Sequence, residues 1–222
     1  NDGNGANSGH VRIYDYNGSA WVQVGGDIDG EASDDNSGSD VSLSSDGLSV
    51  AIGATLNDGN GNNSGHVRIY DYNGSAWVQV GGDIDGEAQS DFSGYSISLS
   101  SDGSRVAIGA KNNDGNGANS GHVRIYDYNG SAWVQVGGDI DGEAQSDYSG
   151  YSISLSSDGS RVAIGAPSND GNGNNSGHVR IYDYNGSAWV QAGGDINGEA
   201  QSDNSGYSIS LSSDGSRVAI GA

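Results

Sequence analysis

The stretch GHVRIYDYNGSAWVQVGGDI, residues 9–28, decides the fold. Val11 and Ile13 alternate with His10, Arg12 and Tyr14, the two-residue period of a strand rich in β-branched and aromatic side chains. Asn17-Gly18 is a hairpin signal, because both residue types accept the positive φ that a two-residue turn demands. Ala20 to Ile28 reads as a second strand, weakened at Gly25-Gly26 where there is no side chain to pack. The stretch is therefore an antiparallel hairpin.

The hairpin returns almost letter for letter at Gly65, Gly121 and Gly177, and the marker histidines His10, His66, His122 and His178 are each 56 residues apart. The chain is one repeat array over residues 1–222, with units 1–56, 57–112, 113–168 and 169–222. A loop rich in Gly, Asn and Asp (NDGNGANSG at the start, then from Asn57, Asn113 and Asn169) precedes each hairpin. An acidic connection, DGEASDDNSG at residues 29–38 in the first copy, follows it. Ser96 to Ser100 then alternates serine with Ile97 and Leu99, Asp102-Gly103 turns, and SRVAIGA at 104–110 returns as a second hairpin. Four short antiparallel strands per unit and no helix make the chain all-β. The expected architecture is a β-propeller of four 56-residue blades; the alternative is a β-solenoid, whose coils are usually parallel and shorter.

Composition narrows the function. Hydrophobic residues are 33% of the chain and 40 residues are glycine, yet the apolar residues stay phased in short strands, which disordered chains rarely manage. A net charge of −21 repels phosphate backbones and anionic lipid surfaces, so nucleic acid is not an expected partner. No apolar run approaches the ~20 residues of a membrane-spanning helix, and no membrane insertion is expected. The absence of cysteine excludes disulfides and thiol chemistry. With no methionine, the sequence reads as a processed chain or a segment of something longer.

The unit GYSISLSSDGSRVAIGAPSNDGNGNNSGHVRIYDYNG, from Gly150 onward, resembles the FG-GAP repeat of integrin α-subunit propellers and of many secreted microbial proteins. The literal Gly-Ala-Pro stands once, at Gly165-Ala166-Pro167; Gly53-Ala54-Thr55 and Gly109-Ala110-Lys111 replace it elsewhere, and Ser93-Gly94 and Ser149-Gly150 stand for Phe-Gly. The resemblance implies that YSISLS is the innermost strand, SRVAIGA the second, HVRIYDY the third and AWVQVGGDI the outermost. Blades then span about 39–84, 95–140, 151–196, and 207–222 together with 10–28. The last of these is split between the two ends of the chain. A clasp of N- and C-terminal strands, an eight-bladed ring from two copies, or a longer array would each complete it.

Related repeats carry a calcium loop between their first two strands, but here that connection is Ser101-Asp102-Gly103-Ser104. A single carboxylate cannot supply the roughly 6–8 oxygens that Ca2+ takes. Oxygen donors are dense in NDGNGANSG and around Asp27, Asp29, Glu31 and Asp35. Asp27, Asp29 and Glu31, with Asp83, Asp85, Glu87 and Asp139, Asp141, Glu143, are the candidate metal residues, with calcium as the candidate cofactor; solvated carboxylates are the plainer reading. Asn197 breaks the series in the fourth copy. The four histidines, one per blade, would stand on a wide ring and are read as packed structural residues. Sequons at Asn17, Asn73, Asn129 and Asn185, and at Asn62 and Asn174, are candidate glycosylation sites, although the turns already require Asn-Gly. Tyr14, Tyr16 and Trp21 repeat in each unit and would either stack on sugars or pack against the next blade. The first copy departs from the rest, with Ser39-Asp40 in place of Tyr95-Ser96, Tyr151-Ser152 and Tyr207-Ser208, and Ser49 in place of Arg105, Arg161 and Arg217.

No asymmetric Ser, His and Asp constellation stands out, so no catalytic residue is expected and the chain reads as no enzyme. The expected function is a non-enzymatic, extracellular or cell-surface repeat domain for adhesion or structural assembly. Its partners would be other protein chains or copies of itself. The alternative is a lectin-like module binding carbohydrate or protein, with one equivalent site per repeat.

Overall fold

A computed structural model describes residues 3–222. The described residues contain only strands, turns and loops, with no helix long and apolar enough to cross a membrane. Three sheets repeat one plan. The middle one runs Ser96–Leu99, Arg105–Ala110, His122–Tyr128, Trp133–Gln135 and Ile140–Asp141, and its neighbours repeat this over Ser37–Asp85 and Ser152–Asn197. The last two segments are one outer strand in two pieces. Both pair with His122–Tyr128, through Tyr126↔Gln135 to Tyr128↔Trp133 and through His122↔Asp141 and Val123↔Ile140. The break falls at Gly137-Gly138, where Gly137 has φ +75° and sits against the ring of Trp189 in the next sheet. Every strand pair named within a sheet is antiparallel, and consecutive sheets meet through packed side chains and isolated backbone contacts, not through a continuing ladder as in a solenoid.

The third strand is buried on both faces, which explains how so polar a chain keeps a core. Val67 and Ile69 face forward and pack with Ile97, Leu99, Val106, Ile108 and Tyr126 of the following unit. Tyr70, with Val50 and Ile52, faces backward onto Ile13 and Ile28. The same packing joins Val123, Ile125 and Ile140 to Ile153, Val162, Ile164 and Tyr182. Each such side chain removes on the order of 1.5–3 kcal/mol of apolar surface from water. Polar links run alongside. The Trp133 indole Nε1 donates to the Val80 carbonyl at 2.8 Å, and the Leu155 amide donates to Ser98 Oγ at 2.9 Å.

The glycines of the two repeat motifs meet across this interface. A Cβ on Gly109 would overlap the carbonyl oxygen of Gly150, and one on Gly150 (φ +81°) would press on the Gly109 Cα at 3.2 Å. Gly53 and Gly94, and Gly165 and Gly206, repeat the contact. Backbone touches backbone here, so both positions must lack a side chain.

The ends of the chain form smaller sheets: His10–Val11 with Ile28–Asp29, Tyr14–Tyr16 with Trp21–Gln23, and Ser208–Leu211 with Val218–Gly221. The N- and C-terminal strands do not share a sheet, so the clasp that would close four blades is not made within this chain. Neighbouring sheets stay in contact from the innermost strand (Ser98 to Leu155) to the outermost (Val136 to Trp189).

Candidate functional site: the blade boundaries and an aromatic face

The third strand points His66, Arg68 and Tyr70 toward the preceding unit. Pairing of His66 with Asp85 and of Val67 with Ile84 folds the outer strand back beside the histidine. Past Asp85 the chain turns tightly, with the Gly86 amide donating to the Gly65 carbonyl at 2.8 Å. Glu87 is thereby delivered to the next unit, where Arg124 Nη2 holds the Asp85 carbonyl at 2.8 Å. Three equivalent sets result: Glu31, His66 and Asp83; Glu87, His122 and Asp139; Glu143, His178 and Asp195. Within each set one nitrogen or oxygen per residue lies within 4.8 Å of the others. Histidine Nδ1 stands 3.9, 3.7 and 3.7 Å from a glutamate Oε2, and an arginine Nη1 lies 3.4 Å from the other oxygen in all three. The imidazoles are buried at 1% exposure. Burial, helped by the adjacent arginine, lowers their pKa values, that of His122 to about 4, so the rings are neutral at pH 7.

The acidic residues expected to cluster within one unit are divided instead. Asp27, Asp83 and Asp139 each accept a hydrogen bond from a glutamine Nε2 on their own outer strand, at 2.7, 2.6 and 2.6 Å. Asp85 and Asp141 lie against Gly59 and Gly115 of the glycine-rich loops, and Asp29 against Gly3. Glu31, Glu87 and Glu143 cross the blade boundary. Among the described residues, Asp27, Asp29 and Glu31 form no joint metal-binding group. The reason is the turn at Gly30, packed so closely on the Ser8 carbonyl that the chain must leave the strand there. Asp35 is buried and accepts from the Ala32 amide and from Asn57 Nδ2, which makes it a structural clamp. The NDGNGNNSG loop spends its acceptors on its own amides: Asn57 Oδ1 takes Gly59 N at 2.8 Å and Asp58 Oδ1 takes Asn63 N at 2.7 Å. Asn17, Asn73, Asn129 and Asn185 are exposed at hairpin tips, their Oδ1 atoms accepting from the amides two and three residues on. Asn62 and Asn174 are exposed too, while the serines of their sequons, Ser64 and Ser176, are buried.

Of the repeated outer aromatics, Trp77, Trp133 and Trp189 pack on the preceding unit, each indole donating to a carbonyl there at 2.8–2.9 Å. A second aromatic group lies on the inner strands. Tyr95, Tyr151 and Tyr207 come from three successive units and pack in a row, with centroids 5.0 and 4.9 Å apart and ring planes tilted by 54° and 43°. Lys111 Nζ sits 4.3 Å from the Tyr95 ring and 5.6 Å from that of Tyr148. Burial lowers the Lys111 pKa. Beside them opens a pocket of about 400 Å3, lined by Lys111, Asn112, Tyr148, Tyr151, Pro167 and Tyr207 among others. Sequence reasoning notes the tyrosine positions as differences between copies but misses that they converge. It also misses Asp195, and it sets the histidines aside because one per blade cannot meet another. The available signal is the constant offset of 35 residues from each glutamate to the histidine it reaches.

Repeated four-stranded antiparallel sheets stacked face to face define a propeller-like repeat protein. Residues 140–182 match the sequence profile of the FG-GAP repeat. No curated protein matches the sequence. Among solved structures, the fold is similar to a candidate 6-phosphogluconolactonase from Bacteroides uniformis (12% identity, TM-score 0.59), covering 96% of this chain and 52% of that one. It is also similar to hydrazine synthase of Kuenenia stuttgartiensis (14% identity, TM-score 0.51), covering 80% of this chain and 40% of that one. The chain thus spans about half the length of these structures, and the likeness is one of fold.

Proposed function

We propose that this repeat domain is a non-enzymatic extracellular binding module serving adhesion, which holds its ligand on the inner aromatic face. The observation that carries the reading is the row of Tyr95, Tyr151 and Tyr207 beside Lys111. It lies where near-identical units depart from identity, Ser39 standing for tyrosine in the first unit. Ring faces next to amide and ammonium donors suit a carbohydrate, whose C–H faces stack while its hydroxyls hydrogen-bond. FG-GAP repeats are typical of extracellular proteins, which supports the location. The aromatic pocket draws on several units, so the ligand is bound once by the array and not once per repeat.

Calorimetric titration with a panel of soluble oligosaccharides tests this. Binding by the native chain, lost in Tyr151→Ala with the melting temperature within a few degrees of the parent, is the expected result. An unchanged titration in Tyr151→Ala, or no saccharide binding at all, overturns the aromatic face as the site.

Assembly of copies is a second reading, favoured by the complementary strands at the two ends: third and fourth strands at residues 10–29, first and second at 208–221. Light scattering distinguishes it. A dimer or larger polymer supports assembly through these strands, and a monomer at high concentration rejects it.

A further inference from the structure

We propose that each of the three blade boundaries holds one divalent transition-metal ion of the zinc class, ligated by His66, Glu31 and Asp83, by His122, Glu87 and Asp139, and by His178, Glu143 and Asp195. The argument begins with distance. Histidine Nδ1 and glutamate Oε2 stand 3.7–3.9 Å apart, too far for a hydrogen bond of about 2.7–3.2 Å. Two donors bound about 2.0–2.2 Å from a tetrahedral metal are separated by about 3.4 Å, so a few tenths of an ångström brings the histidine and glutamate into range, and the aspartate, within 4.8 Å of both, must swing in to complete the site.

Burial is the second observation. His178 Nδ1 is a buried nitrogen with no hydrogen-bond partner, on the side of the ring that faces Glu143, and at His66 the buried nitrogen without a partner is Nε2. A buried polar atom without a partner is destabilising, and a metal–nitrogen bond removes that penalty at His178. The carboxylates are set up as ligands. Each arginine occupies one glutamate oxygen at 3.4 Å and leaves the other toward the imidazole, the orienting role that outer-shell partners play around metals. Gln79 and Gln135 fix Asp83 and Asp139 in the same manner.

The donor set selects the metal. One imidazole and two carboxylates suit Zn2+ and its first-row neighbours. Calcium takes about 6–8 oxygens and gains little from a nitrogen. Three protein ligands leave a fourth position for water. Because the glutamate comes from one unit and the histidine and aspartate from the next, the ion would act as a cross-link between blades.

The test uses the whole chain stripped of metal, titrated with ZnCl2 by calorimetry and by equilibrium dialysis with elemental analysis. Three Zn2+ per chain are expected, accompanied by a rise in melting temperature. His122→Gln should bind two. Asp139→Asn, altered at an exposed residue and so without risk to folding, should also bind two, and Asp83→Asn, Asp139→Asn and Asp195→Asn combined should bind none and show no thermal shift. Unchanged stoichiometry in the folded aspartate variants, no zinc uptake by the native chain, or displacement of zinc by millimolar CaCl2 overturns the proposal.

Discussion

The inner and outer halves of a blade follow opposite rules. In the outer half, HVRIYDYNGSAWVQ is identical in all four copies, and each of its bulky residues has a fixed task at the boundary. Ile125 fills the core, Arg124 holds the Asp85 carbonyl, Trp133 reaches the Val80 carbonyl and His122 faces the carboxylates. In the inner half the framework is serine, alanine and glycine, and the positions facing the pocket change from copy to copy: Ser39, Tyr95, Tyr151 and Tyr207, or Thr55, Lys111 and Pro167. The boundary tolerates one solution because both blades must fit it. The inner face touches the next blade through fewer and more exposed side chains, such as Tyr95 on Tyr151, and it is there that the first copy departs from the rest. Stability therefore lives in the blade boundary, to which both halves contribute, and recognition is assigned to the inner face.

Mutations can break that division, and the largest effect belongs to the outer core. Ile125→Ala should cost about 2–5 kcal/mol in urea unfolding, through lost burial and a cavity between two sheets. Gly109→Ala should cost about 3 kcal/mol, because an added methyl group overlaps the Gly150 carbonyl; Gly138→Ala, with open space around it, should stay within about 0.5 kcal/mol. Acid acts on the histidines. In the unfolded chain His122 takes up a proton near pH 6.5, whereas in the folded chain it does so only near 4. Between those values the unfolded state binds more protons, so stability in chelator falls as the pH is lowered, by about 2 kcal/mol at pH 5 from His122 alone. Unfolding curves from pH 7 to 5 check this, and His122→Gln should flatten the slope. Trp133→Phe, which removes the hydrogen bond to Val80, should cost about 1 kcal/mol.

Much of the fold was legible because its signals are local. Asn17-Gly18 and Asp102-Gly103 mark the turns, alternation marks the strands, and Gly25-Gly26 marks the break in the outer strand, and the structure has each of them. The blade boundaries were not legible for a physical reason. Whether Glu87 meets His122 depends on how one sheet lies on the next, and periodicity within a unit carries no information about that. Asp27, Asp29 and Glu31 are neighbours in sequence, but the chain turns at Gly30 and Glu31 meets His66 and Asp83 of the next unit instead. The unmade clasp has the same origin, since closure is a property of the stack.

The glycine contact has a geometric consequence. At Gly109 and Gly150 two blades approach to backbone distance, while toward the rim they are held apart by Tyr126, Trp133 and Arg124. Each unit is a wedge, thin where glycine meets glycine and thick where the aromatics stand. The curvature of the array is thus written as a gradient of side-chain size across four strands. A methyl group added at the thin edge would narrow the wedge angle at every boundary that carries it, and so raise the number of blades that complete a circle.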